Sequence, residues 1–174
     1  MNRRLLIIVL MACLLPLGMQ AQQGTFRFAQ LTDIHLTPNN PNPTEDLLRS
    51  VAQINATDSI DFVLVTGDLT EEGDRTTMEK VKSCLDLLKV PYHVVLGNHE
   101  TKWSDSGCTA FGEIFGGERF EFEHKGFLFL GFNSGPLMRM AYGHVVPQDI
   151  RWMTEEMDLS LIHISEPTRL GMIS

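Results

Sequence analysis

The sequence predicts an α/β fold with a parallel sheet, because apolar strand patterns alternate with amphipathic helix patterns along the chain. Three strand patterns end near residues 31, 66 and 96, and a helix-sized segment separates each pair. This order favours right-handed crossovers between parallel strands. The chain advances 35 residues from Asp33 to Asp68 and 30 from Asp68 to Asn98, which suits one crossover unit each.

The first half of the chain shows these elements in order. The first strand is predicted over residues 25–31, and the loop Thr37–Pro43 after it contains three prolines, which exclude helix and central strand. Thr44 is predicted to cap a helix through about residue 55. The run Asp61–Thr66 is β-branched and aromatic, as is typical of a strand buried on both faces.

The second half begins with an amphipathic helix over residues 75–88 and a short buried strand over residues 92–96. Beyond residue 100 the pattern changes. A short helix is predicted over residues 109–115, a hairpin over 120–124 and 127–132, and a helix over 148–157 that carries Trp152.

The composition is that of one globular domain, since 43% of the 174 residues are hydrophobic and 21% are charged. The net charge of −8 comes without any basic run, which argues against nucleic-acid polymers and anionic membranes as partners. A small anionic substrate would therefore need local cations such as metal ions. We expect a monomer.

Both ends of the chain read as segments outside the domain. Residues 1–21 have the pattern of a signal peptide, with a positive start and the apolar run Leu5–Leu17. This predicts a secreted or periplasmic protein without stable membrane insertion after cleavage, and an uncleaved anchor is the alternative. Residues 159–174 resemble a translated sequencing-library adaptor, so we expect an incomplete domain over residues 25–158 and no chemistry at His163. A genuine peptide segment is the alternative.

Two cysteines, Cys84 and Cys108, follow the predicted signal peptide. Cys84 lies in an apolar helical pattern and Cys108 in a loop rich in Gly and Ser. We expect two free thiols, and a disulfide between them is the alternative in an exporting compartment.

Polar side chains follow each of the three predicted parallel strands. Asp33 and His35 follow the first strand, Gly67-Asp68 the second, and Gly97-Asn98-His99-Glu100 the third. Each motif alone fits an ordinary cap or surface residue. Because the carboxyl ends of parallel strands meet at one edge of a sheet, the three together predict a metal site.

The three motifs, in this order and spacing, resemble the first three signature blocks of the calcineurin-like metallophosphoesterases. The resemblance runs from about residue 26 to residue 157. It implies an α/β fold of the calcineurin-like type, a four-layer αββα sandwich with mixed sheets, of which this chain would hold roughly the first half to two-thirds. The two later histidine blocks of the family do not appear, and Gly143-His144 is a weak substitute for them.

The resemblance implies two divalent or trivalent metal ions, with Mn, Fe and Zn as candidates. Asp33 and His35 would bind the first ion, Asp68 would bridge both, and Asn98 would bind the second.

The same resemblance implies that His99 is catalytic, stabilising the phosphoryl group or protonating the leaving alkoxide, and that Glu100 orients it or raises its basicity. The implied reaction is hydrolysis of phosphate mono- or diesters by a metal-bound hydroxide. We expect little activity from the chain as written. A non-catalytic metal- or ligand-binding module of the same fold is the alternative.

Substrate choice is expected to lie in the loops Thr37–Pro43 and Lys102–Cys108. Trp103 either stacks on a base or sugar or anchors its loop as a partly buried residue. His93 and His124 are predicted to be structural.

Overall fold

The structure, a computed structural model, describes residues 24–136 and 142–162. The predicted signal peptide and His163 lie outside these ranges. The first half contains β1 (Phe28–Leu31), α1 (Asn42–Ala56), β2 (Phe62–Thr66), α2 (Arg75–Leu85) and β3 (Tyr92–Val95). The second half contains a π-helical turn (His99–Trp103), α3 (Thr109–Phe115), β4 (Phe120–His124), β5 (Phe127–Gly131) and α4 (Pro147–Ile162).

The strands β1, β2 and β3 form a parallel sheet in that order, as the sequence predicts. The register pairs Phe28 with Phe62 and Val63 with Tyr92, which places β2 at the centre. All three strands therefore end at the same edge of the sheet, where the polar motifs follow.

One face of the parallel sheet packs against helices. Val63 and Val65 of β2 are buried and belong to a core cluster with side chains of α1, α2 and α3. The start of α2 is fixed by Asp74, whose side chain accepts a hydrogen bond of 2.9 Å from the backbone N–H of Thr77. Burial of these apolar faces, rather than helix propensity, holds the helices on the sheet.

The other face packs against an antiparallel hairpin of β4 and β5. Phe62 lies with its ring centroid 5.1 Å from that of Phe122 and 5.0 Å from that of Phe129. His93 stacks on Phe122 with ring centroids 3.8 Å apart, in keeping with its predicted structural role. The two sheets thus pack face to face through aromatic side chains.

The helix α4 contacts β5 of the hairpin and completes the fourth layer. The guanidinium of Arg119, just before β4, pairs with the buried carboxylate of Asp149 in α4 and lies over the ring of Trp152. The predicted αββα order is confirmed, with the parallel and antiparallel strands in separate sheets. In the described ranges, no helix combines the length and apolarity that a membrane crossing requires.

The predicted cap of α1 is wrong. The helix begins at Asn42, two residues before Thr44, and has no side-chain cap. Pro43 accounts for this start, because its fixed φ and missing N–H suit the first turn of a helix. The hydroxyl of Thr44 is buried without a hydrogen-bond partner. Other boundaries differ as well: α2 ends at Leu85 rather than at residue 88, α4 extends to Ile162 rather than to residue 157, and β1 begins at Phe28 rather than at residue 25.

Cys84 and Cys108 are free thiols, as expected. Burial raises the pKa of Cys108 to about 11, and the neighbouring Glu118 acts in the same direction. Burial also raises the pKa of Cys84. Only the thiolate reacts readily, so both residues are expected to react slowly with Ellman's reagent at pH 8 in the native protein.

The sequence has a third cysteine, Cys13, in the predicted signal peptide, so a Cys13→Ser variant reports on these two thiols alone. Its native form is expected to react at least about tenfold more slowly than the same chain in guanidinium chloride, where the pKa returns to its usual value. Rapid modification of both thiols in the native state would contradict the burial described above.

Candidate metal centre

The loops after β1 and β2 continue the parallel hydrogen bonding of the sheet beyond the strands themselves. The backbone N–H of His35 donates to the carbonyl of Asp68 at 3.0 Å, and that of Leu36 donates to Leu69 at 3.0 Å. The N–H of Glu71 in turn donates to the carbonyl of Leu36 at 2.9 Å. This backbone network fixes the first motif against the second.

Three of the predicted metal ligands have left-handed backbone conformations. The φ angles are 54° at Asp33, 49° at His35 and 50° at Asp68. Non-glycine residues rarely adopt such angles, and they persist only where surrounding structure enforces them, often at functional sites. The strain therefore coincides with the motifs that the sequence singles out.

Two glycines allow the second and third loops to meet. A Cβ on Gly97 would lie 2.1 Å from both the backbone nitrogen and Oδ1 of Asp68. A Cβ on Gly67 would lie 2.6 Å from the Cα of Gly97. Only glycine permits these contacts, which bring the third motif against the Asp68 carboxylate.

The structure brings three of the four predicted ligands into one cluster. Asp33, His35 and Asp68 each offer a donor atom, and these atoms lie within 4.8 Å of one another. Asn98 lines a cavity of about 550 Å³ together with Asp33 and Asp68. Two carboxylates, an imidazole and a nearby amide oxygen form a donor set that fits Mn, Fe or Zn.

His99 lies against this cluster in a defined orientation. Its backbone N–H donates to Oδ1 of Asp68 at 3.1 Å, and its ring packs edge-on to the ring of His35 at 4.6 Å. Its Nδ1 lies 2.5 Å from the carbonyl oxygen of Glu71. A carbonyl only accepts, so Nδ1 carries the proton and Nε2 is the nitrogen left for a ligand or substrate.

Glu100 lies behind the cluster and is 0% exposed. Its carboxylate accepts hydrogen bonds from the N–H of Thr70 at 3.0 Å, the hydroxyl of Thr70 at 3.2 Å and the N–H of Gly97 at 2.9 Å. Burial raises the pKa of Glu100, and the hydrogen bonds from Gly97 and Thr70 oppose that shift. These hydrogen bonds join the loops after β2 and β3. None of them orients the ring of His99, which is the role that the resemblance implies for Glu100.

Glu71 is a site residue that the sequence analysis missed. Its Oε2 lies 3.1 Å from Nδ1 of His35, and its carbonyl oxygen holds His99. Its only sequence signal is its place three residues after Asp68, in a loop where Glu72 follows directly. Sequence alone does not distinguish the two glutamates, because the choice depends on how the loop folds over β1.

The other histidines in the described ranges lie elsewhere. His144 lines a different cavity, beside Cys108 and Asp149, and is not part of the described donor cluster. His124 packs edge-on against Phe62 at 5.3 Å, with Nε2 3.1 Å from Oδ1 of Asp61, in keeping with its predicted structural role.

Several proteins resemble this chain in sequence. A probable cyclic nucleotide phosphodiesterase of Rhodopseudomonas palustris is 33% identical over 97 residues, which cover 52% of this chain and 33% of that protein. A 3′,5′-cyclic-nucleotide phosphodiesterase of Nostoc sp. is 24% identical over 138 residues, covering 75% of this chain and 51% of that protein. Human tartrate-resistant acid phosphatase type 5 is 29% identical over 120 residues, which cover 62% of this chain and 37% of that protein.

The chain thus spans between a third and about half of the length of these relatives. A family model described as calcineurin-like phosphoesterase matches residues 26–163, a range that contains all three polar motifs and the donor cluster. The chain belongs to the calcineurin-like phosphoesterase family.

Proposed function

We propose that this site hydrolyses phosphate diesters with two bound metal ions. The observation that carries the proposal is the cluster of Asp33, His35 and Asp68 at the ends of two parallel strands, with donor atoms within 4.8 Å of one another. The calcineurin-like phosphoesterases use binuclear metal centres, which agrees with this donor set.

Each ligand has a place in the proposal. Asp33 and His35 would hold one ion, Asp68 would serve both, and Asn98, which lines a cavity with Asp68, would hold the second. When bound, the ions lower the pKa of water and offset negative charge on the phosphoryl oxygens.

His99 supplies the proton chemistry. Because Nδ1 is held by the carbonyl of Glu71, the ring cannot rotate away from the cluster without losing that hydrogen bond. For this step the ring is the imidazolium, with a proton on each nitrogen: Nε2 gives its proton to the leaving oxygen of the ester, and the neutral ring keeps the proton on Nδ1 that the carbonyl of Glu71 holds. The backbone N–H of His99 donates to the carboxylate of Asp68, and this hydrogen bond fixes the position of His99 relative to that carboxylate.

Glu100 acts as a positioning residue in this proposal. It connects the loop of Asp68 to the loop of Asn98 through Thr70 and Gly97, so it sets the separation of ligands that come from different strands. Its complete burial keeps it away from substrate.

Relatives of this chain that are named cyclic nucleotide phosphodiesterases support diesters over monoesters as the substrate class. The test compares bis-p-nitrophenyl phosphate, p-nitrophenyl phosphate and 3′,5′-cyclic AMP with Mn²⁺ and with EDTA. It uses the 174-residue chain beside the product of the full reading frame, since the chain matches only part of its relatives.

Metal-dependent turnover of the diesters by the product of the full reading frame is the expected result, with little turnover by the 174-residue chain. Turnover that survives EDTA would contradict the proposal. Binding of Mn²⁺ without turnover of any ester would favour the alternative, a non-catalytic metal-binding module of the same fold.

Glu71→Gln is expected to lower the affinity for Mn²⁺ about 10- to 100-fold, because the carboxylate that orients His35 is lost. Titration calorimetry measures this without turnover. Glu72→Gln is the matched control, since Glu72 is the adjacent exposed glutamate, and it is expected to leave the affinity within about twofold. Equal effects of the two changes would refute a specific role for Glu71.

A further inference from the structure

A second cavity, of about 750 Å³, opens beside His99 and extends over the turn that follows it. Its walls include Asp74, His99, Trp103, Ser104, Asp105 and Ser106. Because His99 both lines this cavity and contacts the ring of His35, the cavity adjoins the proposed reaction centre. Neither the motifs nor the proposed chemistry assigns it a role.

Trp103 is 54% exposed on the wall of this cavity. Just over half of the side chain is therefore open to solvent, which favours the interpretation as a stacking ring over that as a partly buried loop anchor. It ends the π-helical turn that begins at His99, so the same short element carries the proposed acid and an exposed aromatic ring. Single π-helical turns are rare and occur often at functional sites.

Lys102 connects the two cavities. Its Nζ lies 4.7 Å from the centroid of the Trp103 ring, and its side chain lines the cavity of Asp33, Asp68 and Asn98. Among the described residues that line that cavity it is the basic one. An ester phosphate near the metal ligands would meet this ammonium group on the side towards Trp103.

The charges of the second cavity limit what fits beside the ester phosphate. Glu71, Asp74 and Asp105 place carboxylates on its walls, while Arg75 is paired with Glu113 and Glu79. A second phosphate would be repelled there. A flat neutral ring with amino groups would find an aromatic surface and hydrogen-bond acceptors.

We propose that Lys102 and Trp103 form a recognition pair for nucleotides with a single phosphoryl group. Lys102 contacts a phosphoryl oxygen, and the base stacks on the Trp103 ring in the second cavity. The inference rests on the proposed phosphodiester hydrolysis, and it names the nucleoside as the part of the substrate that this chain selects.

Fluorescence titration tests the stacking directly. A Trp152→Phe background leaves Trp103 as the one tryptophan, and Zn²⁺ is used because it does not quench. AMP is expected to quench the emission, while ribose 5-phosphate, which lacks the base, is expected to leave it unchanged. Equal responses to the two ligands, or no response to AMP, would overturn the proposal.

Calorimetry with the same ligands separates the two residues. Trp103→Leu is expected to lower the affinity for AMP about tenfold or more and to leave the affinity for ribose 5-phosphate unchanged. Trp103→Phe is expected to retain most of the AMP affinity. Lys102→Gln is expected to lower the affinity for both ligands alike. A Trp103→Leu protein that binds AMP as well as wild type would refute the role of the ring.

These binding results stand apart from the ester assay. Diester turnover with no preference for AMP over ribose 5-phosphate would reject the recognition pair and keep the proposed function. Base-dependent binding without turnover of any ester would reject the proposed function and keep the recognition pair.

Discussion

Asp68→Ala is expected to reduce metal-dependent diester hydrolysis by about 10³-fold or more. The change removes a carboxylate of the donor cluster that also accepts the backbone N–H of His99 and lies against Gly97 of the third motif. Loss of charge stabilisation worth several kcal/mol at the reacting phosphorus corresponds to such a factor. Steady-state rates measure the loss of hydrolysis, and the metal content per chain measures the loss of bound metal.

Asp68→Asn and Asp58→Ala complete this experiment. The Asn variant keeps the acceptor for the N–H of His99 and the shape beside Gly97, so it is expected to fold and still to lose most activity. Asp58 lies in an exposed turn before β2, at the end of that strand opposite to Asp68, and its removal is expected to change the rate less than about twofold. Full activity of either Asp68 variant would rule out the bridging role.

Glu100→Ala is expected to lower the free energy of unfolding by about 3 kcal/mol. It leaves the N–H groups of Gly97 and Thr70 and the hydroxyl of Thr70 without their buried acceptor, and it opens a void. A loss of this size lowers the Tm by roughly 6–12 °C in a chain of this length. Scanning calorimetry of the metal-free protein measures it independently of the ions.

The matched control is Glu79→Gln, at an exposed position on α2. Glu79 pairs with Arg75 at 3.7 Å on the surface, and such pairs contribute about 0–1 kcal/mol. The Tm of the Glu79→Gln protein is expected to stay within roughly 4 °C of that of wild type. A Glu100→Ala protein as stable as this control would show that the buried carboxylate does not join the loops.

Much of the fold follows from short-range pattern. The β-branched run of β2 and the strict alternation of β4 carry a period of two, and the helix faces carry a period near 3.6, so element type and order are predictable. The start of α1 is not predictable in this way, because the local sequence is compatible both with a cap at Thr44 and with Pro43 in the first turn. Tertiary packing decides between them.

The candidate site divides in the same way. Asp33, His35 and Asp68 are predictable because parallel strands end at one edge and the ligands follow those ends directly. Glu71 is not, since its contact with His35 depends on a backbone hydrogen bond between its own loop and Leu36. The contacts of Glu100 also require the folded loops, because Thr70 is 30 residues away in the chain.

The most direct test of the metal centre is anomalous diffraction from crystals of this protein soaked in Mn²⁺. The account predicts an anomalous peak bounded by the carboxylates of Asp33 and Asp68 and the imidazole of His35, at about 2.0–2.3 Å from each donor atom. Anomalous peaks found only elsewhere on the chain, with this cluster empty at saturating Mn²⁺, would contradict it.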